Sequence, residues 1–256
     1  MSITEKHTEM HKEYRRDVPG ANTVVLFLHG ICSSPNYFRN FFPRVPKSWA
    51  IRAILLDGHG GTVREFAQTS MEKWKRQVKE VVDELAANHS SIIIVGHSMG
   101  TLFSIEQSIR KPEKIKHLFL LAVPLKARVK LSASNEAIRI ALDINPHGTP
   151  SIESVKDDYS MEPDRRFWRY IGWLPRYREL GHEIRATRTR ITEVTVPCHA
   201  YQSRHDDVVS MKSSDYIAAN PKICLQHLEH SDHNYYTPED EEFLLNEFER
   251  MCRLYI

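Results

Sequence analysis

Residues 91 to 109 read SIIIVGHSMGTLFSIEQSI. The apolar run Ile92 to Val95 stops at Gly96, Ser98 follows two positions on, Gly100 two beyond that, and a helix-type pattern starts near Met99. Few chain geometries accept this arrangement. Small glycines permit a sharp strand-to-helix corner, and the corner holds a hydroxyl above the end of a sheet. The run before it is apolar on successive residues, so it predicts a strand buried on both faces, with helices covering each side.

The same kind of run recurs along the chain. TVVLFLHG, AIRAILLDGHG, SIIIVGHS, KHLFLLAVP, VTVPCHAYQ and KICLQHLEH are short, apolar and bounded by turn residues. Helical patterns separate several of them. SMEKWKRQVKEVVDELAANH puts Met71, Trp74, Val78, Val81, Val82 and Leu85 on one face, and TPEDEEFLLNEFERMCRLY opens with a threonine cap and an acidic first turn. Alternation of strands and helices predicts an α/β fold with a mostly parallel central sheet flanked by helices. At 256 residues one large domain is the expectation.

The rhythm breaks between residues 126 and 194. This stretch offers no strong strand and contains the aromatic, arginine-rich sequence DRRFWRYIGWLPRYRELGHEIRATRTR. An insertion of this size between two strands folds over the sheet as a lid. The expected organisation is therefore a core of residues 1–125 and 195–256, with a helical cap at 126–194.

Charge is balanced, with 35 Lys and Arg against 33 Asp and Glu, which gives no global field for a nucleic-acid partner. The first twenty residues are charged and lack the apolar core of a secretory signal, so a cytoplasmic location is expected. No apolar run approaches the ~20 residues of a membrane span. Cys32, Cys198, Cys224 and Cys252 show no paired spacing, and the expectation is reduced, mostly buried thiols without a metal site.

A serine hydroxyl is a weak nucleophile at neutral pH and needs a base, an acid that orients the base, and donors for the oxyanion. SRHDDVVS follows the fifth of the strand-like runs and offers Asp206 and Asp207. SDHNYYTPED follows the sixth, just before the last helix, and offers His233. His230 falls at the strand's end rather than in the following loop, which favours His233 as the base.

LFLHGICSS, LLDGHGG, GHSMG, SRHDDVV and HSDHNYY, in this order over nearly the whole chain, resemble small bacterial carboxylesterases of the α/β-hydrolase superfamily, near the monoacylglycerol-lipase-like group. The resemblance implies the α/β-hydrolase fold and a Ser98, Asp206, His233 triad. It also implies an oxyanion hole from the backbone N–H groups of Ile31 and Met99. The activity implied is cleavage of carboxylic esters with short-to-medium or monoacylglycerol-like acyl chains, through an acyl-enzyme and without a cofactor or metal. The partner is then a small-molecule ester. Thioester or amide hydrolysis uses the same parts, and a non-catalytic ligand-binding relative is the alternative of a different class.

Other residues invite plainer readings. His29 is expected to brace the loop after the first strand, His97 to point away from Ser98, and His59 to order a loop or line the pocket. Asp232 is expected to cap its own loop. The eight arginines Arg165, Arg166, Arg169, Arg176, Arg178, Arg185, Arg188 and Arg190 read as a solvated face paired with Glu153, Asp157, Asp158, Glu162 and Asp164. Phe167, Trp168, Ile171, Trp173 and Leu174 form an apolar cluster that faces either the cap's own core or an acyl pocket above Ser98.

Overall fold

The computed structural model describes residues 11–128, 138–142 and 156–256. Seven strands form one sheet in the order β1-β3-β2-β4-β5-β6-β7. They are β1 Tyr14–Arg16, β2 Thr23–Leu28, β3 Ala50–Ile54, β4 Ser91–His97, β5 Ile115–Leu121, β6 Cys198–Ser203 and β7 Ile223–Leu228. Strands β2 to β7 pair in parallel, while β1 runs antiparallel on β3. The six runs read from the sequence are the six parallel strands. β1 has no counterpart among those runs: it is a short, largely exposed edge strand in a charged segment, so no apolar run marks it.

The α-helices among the described residues include α1 Val63–Gln68, α2 Met71–Asn88, α3 Met99–Arg110, α4 Leu174–Arg190, α5 Lys212–Ala218 and α6 Pro238–Arg253. Successive residues of a strand point to opposite faces. Ile92 and Ile94 of β4 accordingly join a core with Trp74, Val78 and Val82 of α2, while Ile93 and Val95 join a second core with Leu244 and Phe248 of α6. This division is why the strands read as continuous apolar runs. Trp74 is fully buried, and its loss to alanine would cost about 3–5 kcal/mol. β7 is the exception among the runs: as an edge strand it leaves Cys224 exposed. Cys198 and Cys252 are buried, Cys32 is half-buried, and all four thiols are free.

Helix starts follow their local chemistry. Ser70 caps α2 by accepting from the Lys73 N–H, and Thr237 caps α6 by accepting from Asp240, with Glu239, Asp240 and Glu241 in the first turn. Thr62 and Glu65 form a reciprocal capping box at α1.

Between β5 and β6 the described residues include a 3-10 helix, Phe167–Trp173, which leads into α4. This segment crosses the carboxyl edge of the sheet. Its Ser160 N–H donates to the Cys32 carbonyl at 2.9 Å, and its Glu162 N–H donates to the Gly61 carbonyl at 2.8 Å. The Trp173 indole N–H donates to the Val63 carbonyl at 2.9 Å, and Glu179 accepts from the Met71 N–H at the start of α2 at 2.9 Å. Lys75 of α2 meets Glu183 of α4 at 3.1 Å. The expected charge pairing is partly redistributed. Asp164 does hold Arg166 and Arg169, but Asp157 and Asp158 face Arg39, and Arg176 and Arg190 pair within their own turns with Glu179 and Glu193. Glu153 lies outside the described residues.

Candidate active site

Ser98 sits between β4 and α3 with φ 49° and ψ −120°. A non-glycine residue in that region costs about 1–3 kcal/mol, and the surroundings must hold it there. Two glycines make the corner possible. A Cβ on Gly96 would lie 2.6 Å from Ser104 Oγ and 3.0 Å from the Gly100 carbonyl oxygen. A Cβ on Gly100 would collide with the Leu28 carbonyl, so the first turn of α3 can press directly on the end of β2. The Ser98 N–H is tied to the Leu121 carbonyl at 2.9 Å.

Parallel strands deliver the other groups to the same edge. The loop after β6 carries Asp206, the loop after β7 carries His233, and both are buried. His233 Nε2 lies 3.1 Å from Ser98 Oγ, and His233 Nδ1 lies 2.9 Å from Asp206 Oδ2. With its proton on Nδ1, donated to Asp206, the imidazole presents a lone pair at Nε2 to the serine O–H. The second Asp206 oxygen accepts from the Val208 and Val209 N–H groups at 2.8 and 2.6 Å.

The electrostatics match this geometry. Burial pushes the Asp206 carboxyl up, but the His233 charge and the hydrogen bonds from His233, Val209 and Val208 outweigh it and hold the carboxyl below its usual range. Burial alone would lower His233. The charge and hydrogen bond of Asp206, with smaller contributions from Asp207 and Asp232, raise it above an ordinary imidazole. Asp207 is raised, first by burial and then by the Asp232 charge. Asp232 accepts from Asn234 N and Tyr235 N at 2.9 and 2.8 Å, the local cap expected of it.

The loop after β2 is held by two histidines. His29 Nε2 accepts from the Leu56 N–H at 3.0 Å, so Nδ1 carries the proton and donates to the Gly30 carbonyl at 2.8 Å. The carbonyl and N–H of one trans peptide point in opposite directions, which turns the Ile31 N–H away from His29. A Cβ on Gly30 would lie 3.1 Å from the Ser98 Cβ, so this peptide runs alongside the serine. His59 Nε2 accepts from the Cys32 N–H at 3.3 Å, and its other nitrogen faces the Leu56 carbonyl at 3.2 Å. Burial lowers both histidines, that of His59 to about 4, and both stay neutral at physiological pH. Met99 is the first residue of α3, where a backbone N–H has no intrahelical acceptor.

Several supporting residues were invisible in the sequence. His97 turns away from the serine, as expected, but its Nε2 donates to the His233 backbone carbonyl at 3.1 Å. Its ring stacks on Tyr37 at 3.8 Å, and Tyr37 donates to the Tyr236 hydroxyl at 2.7 Å. Buried Asp240 of α6 accepts from Ser231 Oγ at 2.6 Å and from the His230 N–H at 3.0 Å. Ser203 Oγ donates to the Ser231 carbonyl. These contacts fix the loop that carries His233, and a serine three residues after a strand gives no signal of them. The His230 side chain is exposed.

The aromatic cluster is split. Trp173 is buried against Phe66, with ring centroids 4.5 Å apart, while Phe167, Trp168, Ile171 and Leu174 face solvent. The structure therefore does not gather Phe167, Trp168, Ile171 and Trp173 into a pocket wall above Ser98. The physical reason is the anchoring of Trp173 on α1, which turns its neighbours outward.

Residues 19–237 match the model of the Hydrolase_4 family, described as serine aminopeptidase, S33. A pimeloyl-[acyl-carrier protein] methyl ester esterase of Neisseria meningitidis serogroup A is 30% identical over 112 residues, 43% of this chain and 33% of that enzyme. The chain thus spans well under half the length of the curated relatives it matches first. Human monoacylglycerol lipase ABHD6 is 20% identical over 88% of this chain and 75% of its own length. A solved structure from the LipS and LipT pair, metagenome-derived lipolytic enzymes, superposes with a TM-score of 0.71 at 20% identity, covering 95% of this chain and 98% of that one. At such identity the superposition speaks for the fold alone. The family match takes in Ser98, Asp206 and His233 together with every parallel strand, and on it this chain belongs to the S33 Hydrolase_4 family of α/β-hydrolases.

Proposed function

We propose that this chain is a serine hydrolase of carboxylic esters. The observation that carries the reading is the continuous relay from Ser98 Oγ through His233 to Asp206, at 3.1 and 2.9 Å. Ser98 attacks the ester carbonyl as His233 Nε2 takes its proton. Asp206 holds the imidazole by Nδ1 and stabilises the cation. The Ile31 and Met99 amides receive the oxyanion, and the positive end of α3 adds to that stabilisation. His233 then gives its proton to the leaving alcohol, activates a water, and the acyl-enzyme is hydrolysed. Side chains, backbone and water supply every proton and charge in this sequence, so the mechanism calls for no cofactor.

The activities of the relatives support an ester substrate: a methyl ester esterase, a monoacylglycerol lipase and lipolytic enzymes. The family description adds an amide alternative. A panel of soluble nitrophenyl esters of increasing acyl length, with an aminoacyl nitroanilide beside it, tests the reading. Ester turnover is expected, with a loss of about 10³-fold or more in Ser98→Ala. Turnover of the anilide alone would replace ester by amide cleavage. Undiminished turnover in the purified variant would end the serine mechanism.

A further inference from the structure

Four tryptophans are present in the chain, and three of them are buried: Trp49, Trp74 and Trp173. Trp168 is 56% exposed, and it is not alone. Phe167 (66%), Ile171 (63%), Leu174 (60%) and Tyr177 (47%) are exposed with it, spaced along one stripe of the 3-10 helix and the first turn of α4. Scattered apolar residues on a surface are ordinary, but a contiguous stripe of large ones marks an interaction site. The inner face of the same segment is already satisfied. Trp173 packs between Phe66 and Tyr170 and donates its indole N–H to Val63, so the outer stripe is displayed by a segment anchored to the core.

The charge around the stripe narrows the occupant. Residues 164 to 193 contain eight arginines against Asp164, Glu179, Glu183 and Glu193; Asp164 holds Arg166 and Arg169, and Arg176 and Arg190 pair with Glu179 and Glu193, while Arg165, Arg178 and Arg185 are exposed. A second copy of the chain meeting this face about a two-fold axis would bring two cationic stretches together, which opposes pairing. An apolar centre of Phe, Trp, Ile and Leu inside a cationic margin instead complements a surface with an apolar interior and an anionic face. No helix among the described residues is long and apolar enough to cross a membrane, so the attachment would be peripheral. The stripe also leads to the candidate site. The Tyr177 hydroxyl lies 3.7 Å from Cys32 Sγ, one residue beyond Ile31.

We propose that the stripe Phe167, Trp168, Ile171, Leu174 and Tyr177, with its arginine margin, docks the protein on anionic lipid surfaces and sets the Ser98 site against the interface that holds amphiphilic esters. The docking stands on the stripe itself, and only its use in collecting substrate rests on the ester hydrolase reading.

The test uses the full chain and its Ser98→Ala variant with two kinds of vesicle, phosphatidylcholine alone and phosphatidylcholine containing phosphatidylglycerol. Trp168 is the exposed indole, so its emission reports contact directly. Expected are co-sedimentation with the anionic vesicles, a blue shift abolished by Trp168→Phe, and weakening by salt. The double variant Phe167→Ser/Ile171→Ser should bind about tenfold less tightly while its circular dichroism and its turnover of a soluble ester stay unchanged. Equal binding by Ser98→Ala separates docking from chemistry. The proposal is overturned by absence of binding to anionic vesicles, by undiminished binding of the double variant, or by preference for polyglutamate over vesicles. A Trp168 already shielded from acrylamide in the free protein overturns it too, as does loss of soluble-ester turnover in the double variant, which would return these residues to the pocket.

Discussion

The His97 imidazole donates through Nε2 to the backbone carbonyl of His233 at 3.1 Å, so the residue before the serine holds the loop that carries the proposed base. The two are 136 positions apart in sequence, and the corner that presents Ser98 also fixes the distance to His233. Burial lowers His97 well below an ordinary imidazole, followed by the His233 charge, and it acts as a neutral donor.

His97→Phe keeps a ring against Tyr37 but removes that donor. We expect kcat on a soluble ester to fall about ten- to a hundredfold with KM little changed, because a displaced base costs rate rather than binding. A change confined to KM would assign His97 to the substrate pocket.

Gly100→Ala should be among the most damaging single-methyl changes in the chain. Its Cβ would meet the Leu28 carbonyl, which belongs to the central sheet and cannot move aside. A loss of about 3 kcal/mol or more in stability is expected from urea unfolding. Gly20→Ala is the control. Its φ is positive, at 74°, unlike that of Gly100, but nothing lies within 4 Å, and the left-handed backbone alone costs roughly 1–2 kcal/mol.

Much of this arrangement is legible in the sequence, and the remainder is missing for a physical reason. Ile92 to Val95 announce a strand buried on both faces because both cores draw on one strand. Ser98, Asp206 and His233 each follow a readable strand, and a parallel sheet carries such loops to one edge. What depends on distant contacts is not readable. Tyr37 and Tyr236 are 199 positions apart, Arg39 and Asp158 are 119 apart, and neither pair has a local pattern. The cluster around Trp168 shows its spacing but not its outward side, which is decided by the fit of Trp173 against Phe66.

The raised imidazole of His233 sets the acid limb of the pH profile. A base works when deprotonated, and a raised value keeps it protonated to higher pH. Activity as kcat/KM should therefore rise with pH through an inflection above the ordinary imidazole value. Asp206→Asn removes the charge that does most to oppose burial at His233, so the inflection should move down. An inflection unmoved in that variant would detach Asp206 from His233.

Asp206→Asn should also lower kcat by on the order of 10² to 10⁴. Asp207→Asn should stay within about tenfold of the parent, because no Asp207 oxygen is in the relay and its charge acts on His233 only through space. Reversal of the two losses would move the orienting role to Asp207.

Covalent capture shows whether Ser98 is the nucleophile. The protein is treated with an alkyl fluorophosphonate and examined by intact mass and peptide mapping. We predict one adduct per chain on the peptide containing Ser98, no adduct in Ser98→Ala, and markedly slower labelling in His233→Ala. An adduct on another residue, or ester turnover by folded protein that never labels at Ser98, would exclude Ser98 as the nucleophile.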